Sequence, residues 1–139
     1  MTAVFEALKI VNSGMQLHQA WMDAISDNVA NINTVRSTRQ AAFQARYVLA
    51  QAAENGGPGV ATGGGVGVAG VALGSAEGRL VYQPDHPLAD AKGYVRLPDI
   101  DLGEQMTDMI MAQRGYQANA ANLDRIRASY QAALQMGRS

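Results

Sequence analysis

The sequence of 139 residues contains no cysteine, which excludes disulfides and thiolate metal sites and removes any redox clue to its compartment. It also lacks any apolar run approaching the ~20 residues that a bilayer span needs. Charge of one sign is missing too: 11 basic and 12 acidic side chains are spread along the chain and leave a formal charge of −1. Without a basic stripe to track phosphates, nucleic-acid binding has little support. The first residues have no basic n-region, and Glu6 and Lys9 interrupt the apolar stretch, so a cleaved signal peptide is not expected. At this length the chain is one domain-sized unit, able to bury a core.

Two long apolar stripes at heptad spacing occupy the two ends. Val4, Leu8, Val11, Met15, His18, Met22, Ile25, Val29 and Ile32 advance in steps of four and three, as do Leu102, Met106, Met109, Gln113, Tyr116, Ala120 and Leu123, with Ile126, Tyr130 and Leu134 beyond. Such steps keep side chains on one helix face and favour helix-to-helix seams, within one molecule or between many. The first stripe predicts a helix from residue 3 to about residue 32, about 45 Å long, with Thr2 as its cap. Its polar end, Asn31, Asn33, Thr34 and Ser37, suits a place where carbonyls lose their helical partners, since Asn tolerates the left-handed conformation and bonds nearby backbone. The second helix is expected from Asp101, which forms a capping-box spacing with Glu104, to about Met136, with Gly137 just past its end. Gly14 and Gly115 sit inside these helices at a cost of ~1 kcal/mol each against Ala. That cost points to the close approach of a neighbouring backbone.

The middle of the chain changes character. In residues 41–53, Phe43, Ala45, Tyr47 and Leu49 alternate with Gln44, Arg46 and Val48, while the Ala and Gln content equally suits a helix. Punctuation by Glu54-Asn-Gly-Gly-Pro58 and Thr62-Gly-Gly-Gly65 favours strand. Val66, Val68, Val71 and Leu73 mark a second strand, residues 74–78 a turn, and Arg79 to Gln83 a third strand. Pro84 to Pro98 reads as an irregular connector. No internal repeat is evident. The expected class is α+β, with long N- and C-terminal helices packed as a coiled-coil-like pair and a small β-rich middle. Its divisions are residues 1–40, 41–98 and 99–139.

Candidate chemistry is sparse. Gly65-Val-Gly-Val-Ala-Gly70 matches GxGxxG, but a dinucleotide site needs a strand before the motif, a helix after it and an acidic residue about 20 positions on. A valine alternation follows instead, so the segment reads as a strand entry. His18 falls on the apolar seam with Trp21 and Met22 at i+3 and i+4, which suits a seam-lining histidine better than a metal ligand. His86, between Asp85 and Pro87, lacks a nucleophile and a pocket, and local turn bonding suits it better. Trp21 lies beside the seam, a position that serves a subunit contact and internal packing about equally. Asn28 with Asn31, and Asn119 with Asn122, stand three apart and share a helix face; on a packed face, amides fix register. No catalytic, cofactor or metal site is expected.

Ala30-Asn-Ile-Asn-Thr34 after an amphipathic helix resembles the signature of bacterial flagellar axial proteins, and Tyr116-Gln-Ala-Asn119 resembles its C-terminal counterpart. The connector from Val81 to Pro98, and the short middle, are similar to those of the family's proximal-rod members. Two segments depart from the family pattern: Val35-Arg-Ser-Thr-Arg-Gln40 replaces a turn with Pro or Gly and Tyr-Arg, and Asp99-Ile-Asp101 follows Pro98. The resemblance implies a structural subunit of the basal-body rod in the periplasm, exported through the flagellar type III apparatus without a cleaved signal. Its implied partners are copies of itself, other rod proteins and the export apparatus, with no nucleic acid and no membrane span. The expected assembly interface is Val4, Leu8, Val11, Met15, His18, Trp21, Met22, Ile25, Val29 and Ile32 with Met106, Met109, Tyr116, Leu123, Ile126, Tyr130 and Leu134. The family motif comprises Ala30, Asn31, Asn33 and Thr34 with Tyr116, Gln117, Ala118 and Asn119. Two other readings are a cytoplasmic coiled-coil adaptor or export-chaperone-like hairpin, its seams pairing inside one molecule, and a small nucleotide-binding domain on the glycine segment.

Overall fold

The computed structural model describes residues 2–54 and 63–137. Two helices, α1 (Thr2–Ala30) and α2 (Leu102–Met136), run antiparallel along each other, and the residues between them form two small sheets, as expected for an α+β chain. Strands β1 (Arg46–Glu54) and β2 (Gly63–Leu73) make an antiparallel pair with register shifts after Leu49 and after Ala52. The connection expected at Asn55–Pro58 lies outside the described residues. Strands β3 (Arg79–Tyr82) and β4 (Tyr94–Leu97) form the second antiparallel pair.

The fourth strand corrects the connector reading. Tyr94 to Leu97 pairs residue for residue with Tyr82 to Arg79, and the Tyr82 and Tyr94 rings meet edge-on at 5.4 Å. Arg79 to Leu97 thus forms a hairpin, with Pro84 in its connection and Pro98 just past its second strand. Its tip is tied by Asp90, whose Oδ1 accepts from the backbone N–H of Lys92 (2.9 Å) and of Tyr94 (3.0 Å). These bonds, that from Tyr94 foremost, hold the Asp90 carboxyl below its ordinary value.

The segment that departs from the family pattern is pinned to this hairpin. Arg36 and Arg96 exchange backbone hydrogen bonds of 2.8 Å in both directions. The Arg96 guanidinium donates to the carbonyls of Thr38 (2.9 Å) and Glu77. One side chain thus satisfies carbonyls of two turns that have no ladder of their own.

A small core gathers where the hairpins meet the helices, from Ala24, Ile25, Ala42, Ala45, Val95, Leu97, Ile100 and Ala112. Asp101 caps α2 as expected: its carboxylate accepts from Glu104 N–H at 2.7 Å, and the helix closes at Gly137. The end of α1 differs from expectation in mechanism. No non-glycine residue among those described has positive φ, so the asparagines do not turn the chain by a left-handed step. Asn31 Nδ2 instead donates to Asp27 O (2.9 Å), and Thr34 Oγ1 donates to Asn31 Oδ1 (3.2 Å).

Candidate assembly surface

Each helix presents its stripe to the other, but the packed seam is not the stripe itself. Near the β-rich end, the buried positions are Ala24, Ala112 and, of the stripe, Ile25, together with Asn28 and Gln105, each 1% exposed. The apolar residues that the heptad reading put there, Val29 and Met106, follow one position later and are exposed, Met106 by 60%. One residue is a 100° turn about a helix axis, enough to swing a side chain from the seam to its edge.

Polar bonding explains the displacement. Asn28 behaves like a piece of strand: its Oδ1 accepts from Arg46 N–H (2.8 Å), and its Nδ2 donates to Arg46 O (3.0 Å) and to Gln105 Oε1 (2.8 Å). This single amide therefore joins α1, β1 and α2. A buried amide with every partner present is strongly preferred over one left dry, so it outweighs the ~1.5–3 kcal/mol offered by burying Val29 or Met106 in its place. Asp27 and Arg46 add an exposed ion pair of 2.7 Å at the rim.

The remaining stripe residues divide by depth. Ile25 is buried; Val4, Leu8, Val11, Met15, His18, Trp21, Met22 and Ile32 are half-buried, as are Met109, Tyr116, Leu123, Ile126 and Tyr130. Leu134 is exposed, like Val29 and Met106. Most of the stripe therefore keeps surface outside the intramolecular seam. Of the motif residues, Asn31, Thr34, Tyr116 and Asn119 are half-buried and Ala30, Asn33, Gln117 and Ala118 exposed.

The displaced apolar groups line an open groove of ≈500 Å³ between the helices, formed by Ile25, Val29, Met106, Met109 and Ile110 with Ser26, Ala30 and Gln105. A second apolar groove of ≈400 Å³ lies at the other end of the pair, between Ala3, Val4 and Ala7 on α1 and Ile126, Tyr130 and Ala133 on α2.

The two helix glycines are matched by side chains, not by backbone as the sequence suggested. A Cβ at Gly115 would fall within the His18 imidazole, and one at Gly14 would lie 2.8 Å from Asn119 Nδ2. His18 Nδ1 donates to Gly14 O at 2.7 Å, so its ring is fixed on its own helix and directed across the seam. Trp21 tilts against that ring with centroids 6.3 Å apart.

Neither histidine has the surroundings of a reactive group. His86 Nδ1 accepts from Leu88 N–H at 3.1 Å, which is turn bonding. The GxGxxG segment lies inside β2 and is followed by more strand, and Val66 N–H donates to Ser13 Oγ on α1 (3.0 Å). Gly65, at φ +92, is the point of closest approach to Ser13. Of the motif's glycines only Gly65 makes this strand-to-helix contact; a Cβ at Gly67 or Gly70 would meet nothing within 4 Å. Among the described residues, no cluster of His, Asp and Glu is placed to hold a metal, and no helix is long and apolar enough to cross a membrane.

Gln105 escaped the sequence reading because an amide next to Met106 looks like the solvent side of the stripe. Its one sequence signal is position: it stands a heptad before Ala112, a small residue suited to close helix approach.

Comparison with known proteins converges on one family. Residues 8–36 match the family model described as flagella basal body rod protein, and residues 91–136 match that described as flagellar basal body rod FlgEFG protein C-terminal. The chain is 35% identical to the flagellar basal-body rod protein FlgC of Escherichia coli O157:H7 over 135 residues, covering 97% of this chain and 98% of the relative. It is 37% identical to that of Yersinia enterocolitica over 128 residues, covering 92% and 93%. With that of Bacillus subtilis it shares 29% identity over 152 aligned positions, 99% and 100% of the two chains.

Proposed function

We propose an assembly mechanism from the premise that this chain belongs to the FlgC family of flagellar basal-body rod proteins and is a structural subunit of that rod. Copies of the subunit and of other rod proteins pack through α1 and α2 into a helical tube. The tube lies in the periplasm, transmits torque and encloses the export channel, and the subunit reaches it through the flagellar type III apparatus without a cleaved signal. The role is mechanical, not catalytic.

The observation that carries this reading is the apolar edge left beside a polar-filled seam. Because Asn28 and Gln105 occupy the seam, Val29, Met106 and Ile110 remain partly exposed along the groove, by 36%, 60% and 51%. Exposed apolar surface of this kind, contiguous and rimmed by polar residues, marks contact surface. Head-to-tail contacts that do not close on themselves then build a filament.

The test is Met106→Glu or Ile110→Glu in a motile host. Both side chains are more than half exposed, so the isolated subunit should keep its thermal midpoint. Rod incorporation and motility should be lost. Full motility in both variants would remove this groove from the assembly interface.

A further inference from the structure

The contacts between α1 and α2 reveal a short near-repeat that was not evident in the sequence alone. Gly14-Met-Gln-Leu-His18 corresponds to Gly115-Tyr-Gln-Ala-Asn119, and the same offset brings Ala20 onto Ala121, Asp23 onto Asp124 and Ile25 onto Ile126. In the folded chain these segments meet reciprocally, His18 over Gly115 and Asn119 over Gly14, as a local twofold axis across the seam would relate them. Each step of four forward along α1 is a step of four back along α2. Continuing ten residues from His18 to Asn28, and ten back from Gly115 to Gln105, reaches the buried amide pair. All three polar contacts share one antiparallel register.

Apolar stripes alone do not select that register. Their pattern repeats every seven residues, so a slip of one heptad again sets stripe against stripe. The polar contacts do not survive such a slip. In one direction His18 faces Asn122 and Asn119 faces Trp21; in the other, they face Asp108 and Ala7. Both side chains then meet a Cβ where the glycine left room, and Asn28 loses Gln105 inside the seam.

We propose that Gly14, His18, Gly115 and Asn119 form a two-part register lock, in which each helix supplies one glycine notch and one polar knob, so that the terminal helices can pair in only one alignment. These are positioning residues. The lock is a property of the chain itself and does not depend on the rod-assembly groove.

The absence of cysteine provides a clean background for crosslinking the full chain. Ala7→Cys with Ile126→Cys, on one groove, reports the native register; Ala7→Cys with Ala133→Cys reports a slip of seven. Oxidation traps whichever pair meets, so the helices need not be stable alone. In the otherwise unaltered chain the first pair should crosslink at least ten-fold faster than the second. With Gly14→Ala, His18→Leu, Gly115→Ala and Asn119→Leu combined, that preference should fall at least three-fold, the remainder being held by the Asn28–Gln105 pair. An undiminished preference would overturn the lock. A second variant uses the local symmetry: His18→Asn with Asn119→His exchanges the knobs between equivalent notches and should retain both helix content and the ten-fold preference. Loss of the preference there would overturn the proposal even if the fourfold variant failed to fold.

Discussion

The His18 imidazole occupies the space that a side chain at position 115 would need, while its Nδ1 is anchored to the Gly14 carbonyl one turn back on its own helix. Gly115→Ala gains up to ~1 kcal/mol of helix propensity but forces the ring out of its notch, an overpacking cost of about 1–3 kcal/mol. Net destabilisation is expected in urea unfolding, larger for Gly115→Val. His18→Ala in the Gly115→Ala background should recover most of it. Gly67→Ala, where a Cβ meets nothing within 4 Å, should change little.

Asn28→Ala is expected to be among the most damaging single changes. It leaves Arg46 N–H, Arg46 O and Gln105 Oε1 without their partner at a buried junction, at a cost of about 2–4 kcal/mol. Asn28→Asp keeps the acceptor for Arg46 N–H but places a charge against two oxygens, so it should not rescue. Chemical denaturation with matched slopes would check both.

Leu8→Glu and Leu123→Glu probe the half-buried part of the stripe. Each should block rod incorporation and motility while leaving export intact. Detection of the variant outside the cytoplasm, with no rod formed, is the expected outcome; fully motile cells would contradict the role assigned to those positions.

Asp90 should give the β3–β4 hairpin an acid limit. Its carboxyl is held below the ordinary value of 3.8, first by the Tyr94 N–H and then by Lys92 N–H and the Thr38 side chain. A carboxylate depressed on folding contributes stability that is fully present above the unfolded value and is lost as pH falls through the folded one. Stability measured from pH 6 downward should therefore decline below about pH 4, and Asp90→Asn should remove that part of the dependence.

The Arg96 guanidinium joins the two turns at Thr38 and Glu77. Arg96→Met should loosen both while sparing the helix pair. Faster hydrogen exchange at Arg36 and Ala42, with unchanged exchange along α2, is the expected signature.

The sequence by itself determined the elements whose signals are local. Heptad spacing marked both helices, Asp101 and Gly137 marked the limits of α2, and Val66 to Leu73 marked a strand, because periodicity, capping and punctuation act over a few residues. Membership in the rod family was legible for the same reason, in Ala30 to Thr34 and Tyr116 to Asn119. Tertiary structure decided what these signals face. Tyr94 to Leu97 is a strand only because Arg79 to Tyr82 lies beside it, and no pattern within four residues following a glycine turn announces that partner. Above all, at its β-rich end the seam holds Asn28 and Gln105, each one residue before the stripe positions Val29 and Met106. Hydrophobic spacing carries no term for Arg46, whose backbone draws Asn28 inward across 18 positions of sequence, and Gln105 follows to meet it. Long-range hydrogen bonding thus seated Asn28 and Gln105 in the seam at its β-rich end, and Val29, Met106 and Ile110 were left exposed beside it.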